Sequence, residues 1–245
     1  MRILFTLLAI QTRNEMYLEA ARTLTQEIIE LTKHDVLITT NNVRFFDSIA
    51  SSRVKVRNNI PEDQILSYTS EFNYNTKHLA FEGIPSEYDV IFYMDCDVKL
   101  AYWNEKSDAF VEKLISTHEY GATRLNAYLG TSIDEHNQKG KSLFTHKILS
   151  YGFTELSADD PIRQARLPSE HFLIFKNIPD KIDAFYRHWR DQDKLLQVKN
   201  ASSGSWGDGF EIGIAVHLAK FINLADINHG DSVTILGIRF NGNKH

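Results

Sequence analysis

The residues best equipped for chemistry are two aspartates with one residue between them, Asp95 and Asp97, in the stretch YDVIFYMDCDVKL (88–100). Val90 to Met94, all apolar or aromatic, run straight into them and read as a short strand buried on both faces. Carboxylates at i and i+2, where a buried strand leaves its sheet, can both reach one divalent cation while the following loop orients them. Hard oxygen ligands of this kind suit Mn²⁺ or Mg²⁺, with phosphate oxygens completing the shell. In an open α/β sheet, ligands also bind at the carboxyl ends of the strands. The pattern points to a metal–diphosphate site; the plainer alternative is a polar turn after a core strand. Between the aspartates lies Cys96, the single cysteine of the chain. As the middle residue it should point back into the core, and no histidine stands close in sequence to make it a nucleophile.

A second stretch, SSGSWGDGFEIGIAVHLAK (202–220), leads small residues into Trp206-Gly207-Asp208-Gly209-Phe210-Glu211 and then an apolar helix. Asp208 followed three residues later by Glu211 is a capping-box arrangement. A capped helix N-terminus also favours an anion beside it.

These groups need a scaffold, and the periodicity supplies one. Residues 2–10 read as a first strand, ending at Ile10-Gln11-Thr12. Asn14 offers an N-cap for a helix over 14–33, with Met16, Leu18, Ala21, Leu24, Ile28, Ile29 and Leu31 at helical spacing. Strands over 35–40 and 54–56 flank a short helix over 43–50. This strand–helix alternation predicts parallel pairing with right-handed crossovers. Further on, helices are expected over 72–81, 108–118 and 182–196, and strands over 120–124, 172–175 and 233–238. Residues 130–165 are the least regular part and read as a functional loop or lid.

A hydrophobic strand ending in Asp-Cys-Asp, after strand–helix alternation and before a longer, less regular half, resembles the GT-A-fold glycosyltransferases that use nucleotide sugars and an Asp-X-Asp metal motif. The resemblance implies a Rossmann-like, mostly parallel central sheet flanked by helices in one α/β domain. Residues 1–100 would bind the nucleotide sugar and 101–245 the acceptor. It implies transfer of a sugar from a UDP- or GDP-sugar to a saccharide or other hydroxyl acceptor, with Mn²⁺ or Mg²⁺ held by Asp95 and Asp97. On the donor side it points to Ile10 and Thr12 at the end of the first strand, to Asp95, to Lys77 on the helix before the motif, and to Arg124. Lys77 reads equally as a solvated helix-face lysine, and Arg124 as a salt-bridge partner. On the acceptor or catalytic side it points to Asp208, Glu211, Glu170 and His171, the last two also readable as a polar pair starting a strand. His229, in Asn228-His229-Gly230-Asp231, is placed as a third metal ligand or as a turn histidine. The longer C-terminal metal motif of that family, with Lys-Pro-Trp, is missing here.

Composition narrows the field further. At 245 residues, 42% hydrophobic and 24% charged, the chain suits one large globular domain. A net charge of −5 argues against a general nucleic-acid binder. One cysteine rules out an intramolecular disulfide framework or a multi-cysteine zinc site and fits a reducing, cytoplasmic setting. The opening MRILFTLLAI lacks a cleavage pattern and reads as a strand. No stretch reaches the roughly 18–20 apolar residues of a membrane span. No GxGxxG follows the first strand and no GxxxxGK[ST] occurs, which disfavours dinucleotide-binding and P-loop enzymes. Two rivals stay in view. A haloacid-dehalogenase-like phosphatase also uses Asp-X-Asp after a buried strand, and Asp159-Asp160 is the only pair here that could fill the later Asp-Asp role of that family. The other rival is a non-catalytic sugar-binding protein on the same fold.

Overall fold

The computed structural model describes residues 1–11, 15–61, 74–125, 128–130, 159–169, 171–198 and 209–240. In chain order the strands are β1 (Ile3–Ala9), β2 (Asp35–Thr40), β3 (Val54–Arg57), β4 (Val90–Met94), β5 (Val98–Leu100), β6 (Tyr120–Ala122), β7 (Phe172–Lys176), β8 (Leu224–Asp226) and β9 (Ile238–Phe240). The helices are α1 (Met16–Leu31), α2 (Glu105–Thr117), α3 (Pro179–Val198), α4 (Gly209–Leu218) and α5 (His229–Thr234), with 3₁₀ turns at Val43–Ile49, Tyr74–Phe81 and Pro161–Gln164. Seven strands make one sheet in the order β3-β2-β1-β4-β7-β6-β8, and β5 pairs with β9 in a separate ribbon. The expected parallel pairing holds for β1–β2, β2–β3 and β1–β4. β7 alone is reversed, antiparallel to both β4 and β6, and β8 runs parallel to β6. The result is the mixed, mostly parallel α/β sheet that the sequence predicts.

Strand side chains alternate between two cores. Phe5, Leu7, Val36, Ile38, Phe92, Met94, Phe172 and Ile174 pack with Leu18, Leu24 and Ile28 of α1 and Val111 and Leu114 of α2. Leu4, Leu37, Ile91, Tyr93, Leu173 and Phe175 face the other way, against Phe185 and Trp189 of α3 and Ile212 and Val216 of α4. This period of two is why β1 and β4 read as nearly unbroken apolar runs. Each such side chain, fully buried, contributes about 1.5–3 kcal/mol. Phe5, Phe92 and Phe172 stack across three strands at centroid distances of 5.0 and 5.8 Å, which ties the reversed strand to the parallel half.

Several local expectations change. Asn14 lies outside the described residues, and Glu15 takes the N-cap position of α1 with no side-chain capping bond. Helix α2 starts at Glu105 rather than 108, because Asn104 caps it in a reciprocal box with Ser107. The 233–238 strand does not form. Asn228 caps α5 through the Asp231 N–H, residues 229–234 coil, and the strand begins only at Ile238. β5 and β8, three residues each, were not expected. Residues 131–158 of the irregular segment lie outside the described set, but its two stems meet: Leu129 N–H donates to the Ala165 carbonyl at 2.8 Å, and Tyr128 bridges Arg166. Among the described residues no helix is long and apolar enough to cross a membrane.

Candidate metal and donor site

The strand order creates the site. From β1 the chain moves outward to β2 and β3, then returns to place β4 on the other side of β1. A crevice opens at such a switch point, outside the carboxyl ends of the strands. Ile10 leaves β1 on one side of this crevice, and Asp95 leaves β4 on the other. Because β7 is reversed, its amino end lies at the same edge, and β6 and β8 run out there too, at Thr123-Arg124 and Asp226. Gln11 is fastened here: its N–H donates to Asn41 Oδ1 at 2.7 Å, and Asn41 Nδ2 donates back to the Gln11 carbonyl at 3.0 Å.

The β4–β7 ladder brings the candidate ligands together. Its last strand pair is Met94 with Phe172, and one step further the Asp95 N–H donates to the His171 carbonyl at 3.0 Å. Asp95 and His171, far apart in sequence, thus become cross-strand neighbours. One ligand atom from each of Asp95, Asp97 and His171 falls within 4.8 Å of the others. Asp97 is exposed, Asp95 and His171 half-buried. Two carboxylates and an imidazole fit a six-coordinate Mn²⁺ or Mg²⁺ that keeps positions open for phosphate oxygens; the imidazole favours the transition metal.

Both oxygens of Asp95 are already engaged. Tyr93 Oη donates to Oδ1 at 2.5 Å, and Lys77 Nζ donates to Oδ2 at 3.0 Å. Tyr93 and Asp95 share a strand face, since they are two residues apart. Burial, and then the Asp95 charge, push the Tyr93 phenol well above its ordinary range, so it remains an O–H donor. Lys77 is 16% exposed and Asp95 13%, which removes the solvated-lysine alternative. Cys96 points into the core, as expected, and its Sγ donates to the Leu8 carbonyl at 3.0 Å. Burial first, then the charges of Asp95 and Asp97, raise its thiol so that no thiolate forms.

The other candidates are spread around this centre. Ile10 is buried against Ile60 and Leu79. Arg124 is exposed at the β6 terminus and holds a left-handed backbone at φ 62°. Its turn is fixed by Leu125 N–H to Asp226 Oδ1 (3.1 Å), Arg166 Nη1 to the Leu125 carbonyl (3.0 Å) and Ser169 N–H to the Thr123 carbonyl (2.8 Å). A non-glycine residue held there costs about 1–2 kcal/mol, and such strain concentrates at ligand sites. Glu211 is 2% exposed, between α3 and α4, and accepts from Trp189 Nε1 at 3.2 Å. His229 is exposed at the start of α5 and is not among the three residues whose ligand atoms converge, Asp95, Asp97 and His171. Thr12, Glu170 and Asp208 lie outside the described residues. Asp160 caps the 161–164 turn by accepting from the Ile162 N–H at 3.0 Å.

Two members of the site were missed by sequence reasoning. Tyr93 was legible from parity alone, being two residues before Asp95 on the same strand. His171 was singled out for the acceptor side, but its place beside the aspartates depends on the direction of β7.

No protein-family model matches the sequence, and no curated protein matches it. Among solved structures, the galactosyltransferase LgtC in complex with donor and acceptor sugar analogs is similar, at 12% identity. That match covers 93% of this chain and 73% of LgtC, with a TM-score of 0.51. An active-site mutant of LgtC is similar at 11% identity, with the same coverage and TM-score. At such identities the likeness is one of architecture: this chain has the GT-A fold of the glycosyltransferases.

Proposed function

We propose that the protein is a divalent-metal-dependent glycosyltransferase that moves a sugar from a nucleotide sugar, with UDP or GDP as carrier, to a saccharide or other hydroxyl acceptor. One observation carries the reading: Asp95, Asp97 and His171 converge at the switch point of a GT-A sheet. Asp95 and Asp97 would hold Mn²⁺ or Mg²⁺, which when bound neutralises the diphosphate as it becomes the leaving group. Tyr93 fixes the Asp95 carboxylate from behind through its neutral hydroxyl. Lys77 and Arg124 supply positive charge to the donor side, and Ile10 and Thr12 are assigned to donor binding. Asp208, Glu211 and Glu170 serve the acceptor side, Glu211 from its buried position against Trp189. The donor and acceptor analogs held by LgtC support a two-substrate site of this type.

The test is a thermal-shift panel of nucleoside diphosphates, nucleotide sugars and simple phosphate esters, each with and without Mn²⁺. A ligand bound only by the native state stabilises it by about 2.7 kcal/mol at a hundredfold excess over its dissociation constant. A shift for one nucleotide family that needs Mn²⁺ is the expected result. Equal shifts with and without metal contradict the assignment of Asp95 and Asp97.

A further inference from the structure

We propose that Lys77 is the resident counter-ion of Asp95, and that its ammonium makes the cation and the donor diphosphate bind as one unit. This rests on the metal–diphosphate reading above. The two partners of Asp95 differ in kind. Tyr93 is neutral and fully buried on β4, so its hydroxyl neither repels a cation nor leaves. Lys77 carries a full charge on a flexible stem, and its Nζ is 3.0 Å from Oδ2. The same carboxylate lies in the cluster whose ligand atoms fall within 4.8 Å of one another.

A dication placed in that cluster therefore meets an ammonium already bound to one of its ligands. Both partners are mostly shielded from solvent, at 16% and 13% exposure, so salt screens their interaction with a newcomer only weakly. Charge counting gives the same answer. Two carboxylates offer −2 to the cation, and Lys77 reduces this to −1. An ammonium leaves a half-buried carboxylate when another anion takes its charge. The diphosphate is that anion, since it arrives at the metal with free phosphate oxygens. Metal alone should bind weakly, diphosphate alone should meet a Lys77 ammonium still held by Asp95, and the two together should bind tightly. By linkage, each raises the affinity of the other by the same factor. Lys77 is thus a positioning residue that enforces joint binding, in addition to any contact it makes with the donor.

The experiment measures Mn²⁺ binding directly, by the loss of the free-ion electron paramagnetic resonance signal. The proteins are wild type, Lys77→Met, Lys77→Arg and Asp97→Asn, each with and without UDP or GDP. Wild type should bind Mn²⁺ weakly alone and gain at least about tenfold with the matching nucleotide, within the 5–150-fold range of coupled sites. Lys77→Met should bind Mn²⁺ alone about tenfold more tightly than wild type, and its gain from nucleotide should shrink. Lys77→Arg keeps the charge and should follow wild type. Thermal melts confirm folding, with Lys77→Gln measured in parallel as a second neutral variant. Folded neutral variants that bind Mn²⁺ alone no better than wild type overturn the proposal. In that event, loss of Mn²⁺ in Asp97→Asn leaves the metal reading standing. Absence of Mn²⁺ binding in every protein, with or without nucleotide, removes both.

Discussion

Gly213 sits in the middle of α4, where glycine costs about 1 kcal/mol relative to alanine. The structure explains why it is there. A Cβ on Gly213 would lie 2.2 Å from the Arg166 carbonyl oxygen and 3.1 Å from Leu167 Cδ2, and one on Gly209, a turn earlier on the same helix face, 2.2 Å from the Pro168 carbonyl oxygen. The helix therefore lies directly on the backbone of 166–168, which leads to Ser169 at the β6 terminus and on to His171. In Gly213→Ala the contact must open from 2.2 Å to at least 3.0 Å, against backbone rather than a flexible side chain. Overpacking of this size costs about 1–3 kcal/mol, and the gain in helix propensity returns about 1 kcal/mol. A net loss of up to about 2 kcal/mol is expected in urea unfolding. Displacing a site residue by about 1 Å can lower turnover roughly a hundredfold, so Mn²⁺ affinity and sugar transfer should fall with stability. A variant that gains about 1 kcal/mol and binds Mn²⁺ normally would refute the argument that this close approach positions His171.

Arg124→Gly should leave stability unchanged or raise it by up to about 1 kcal/mol, since glycine relieves the left-handed strain at some entropic cost. Its nucleoside diphosphate affinity should drop at least about tenfold, the worth of one charge-assisted bond; a large stability loss with normal affinity would assign Arg124 to structure alone. Far from the site, Asp108 accepts from His34 Nε2 (2.7 Å), Trp103 Nε1 (2.9 Å) and Lys33 Nζ (3.0 Å). Burial raises its pKa, but these donors outweigh burial and bring it down to about 2. A depressed carboxyl stabilises the fold above its ordinary pKa and loses that contribution as pH falls through the folded value. Asp108→Asn should therefore cost about 2 kcal/mol at neutral pH, with the gap to wild type closing between about pH 4 and 2. Burial also lowers the pKa of His34 despite its bond to Asp108, so wild-type stability should begin to fall below the ordinary histidine value of 6.5; a flat profile from pH 7 to 5 contradicts this. Asp208→Asn or Glu211→Gln should lower turnover at least about a hundredfold where the residue is chemical, and near-normal turnover in both leaves them structural roles only.

The central architecture could be read from the sequence because it is written in local periodicity. β1, β2, β4 and β7 are apolar runs bounded by polar turns, and α1 shows its buried stripe of Leu18, Ala21, Leu24 and Ile28. What escaped depends on partners distant in the chain. β5, β8 and β9 are three residues long, and each exists only because another strand offers its backbone: β9 for β5, β6 for β8. The 233–238 stretch carries strand-forming residues, yet the Asn228-capped helix runs to Thr234 and the strand begins only at Ile238. The same rule governs the site. Asp95 and Asp97 stand two residues apart and are legible together, whereas His171 joins them through the reversal of β7, and the pairing of Lys77 with Asp95 depends on how the 74–81 turn folds. In the sequence His229 is the histidine placed as a third ligand and His171 only an acceptor-side candidate; the fold brings His171 to the aspartates.

The most direct measurement offers the protein a panel of UDP- and GDP-sugars and follows nucleoside diphosphate release and transfer of the sugar, with Mn²⁺ or with EDTA, for wild type and Asp97→Asn. The account predicts release from at least one nucleotide sugar, dependent on Mn²⁺ and abolished in Asp97→Asn. Hydrolysis of simple phosphate esters with no nucleotide requirement, or saccharide binding without turnover of any nucleotide sugar, would contradict it.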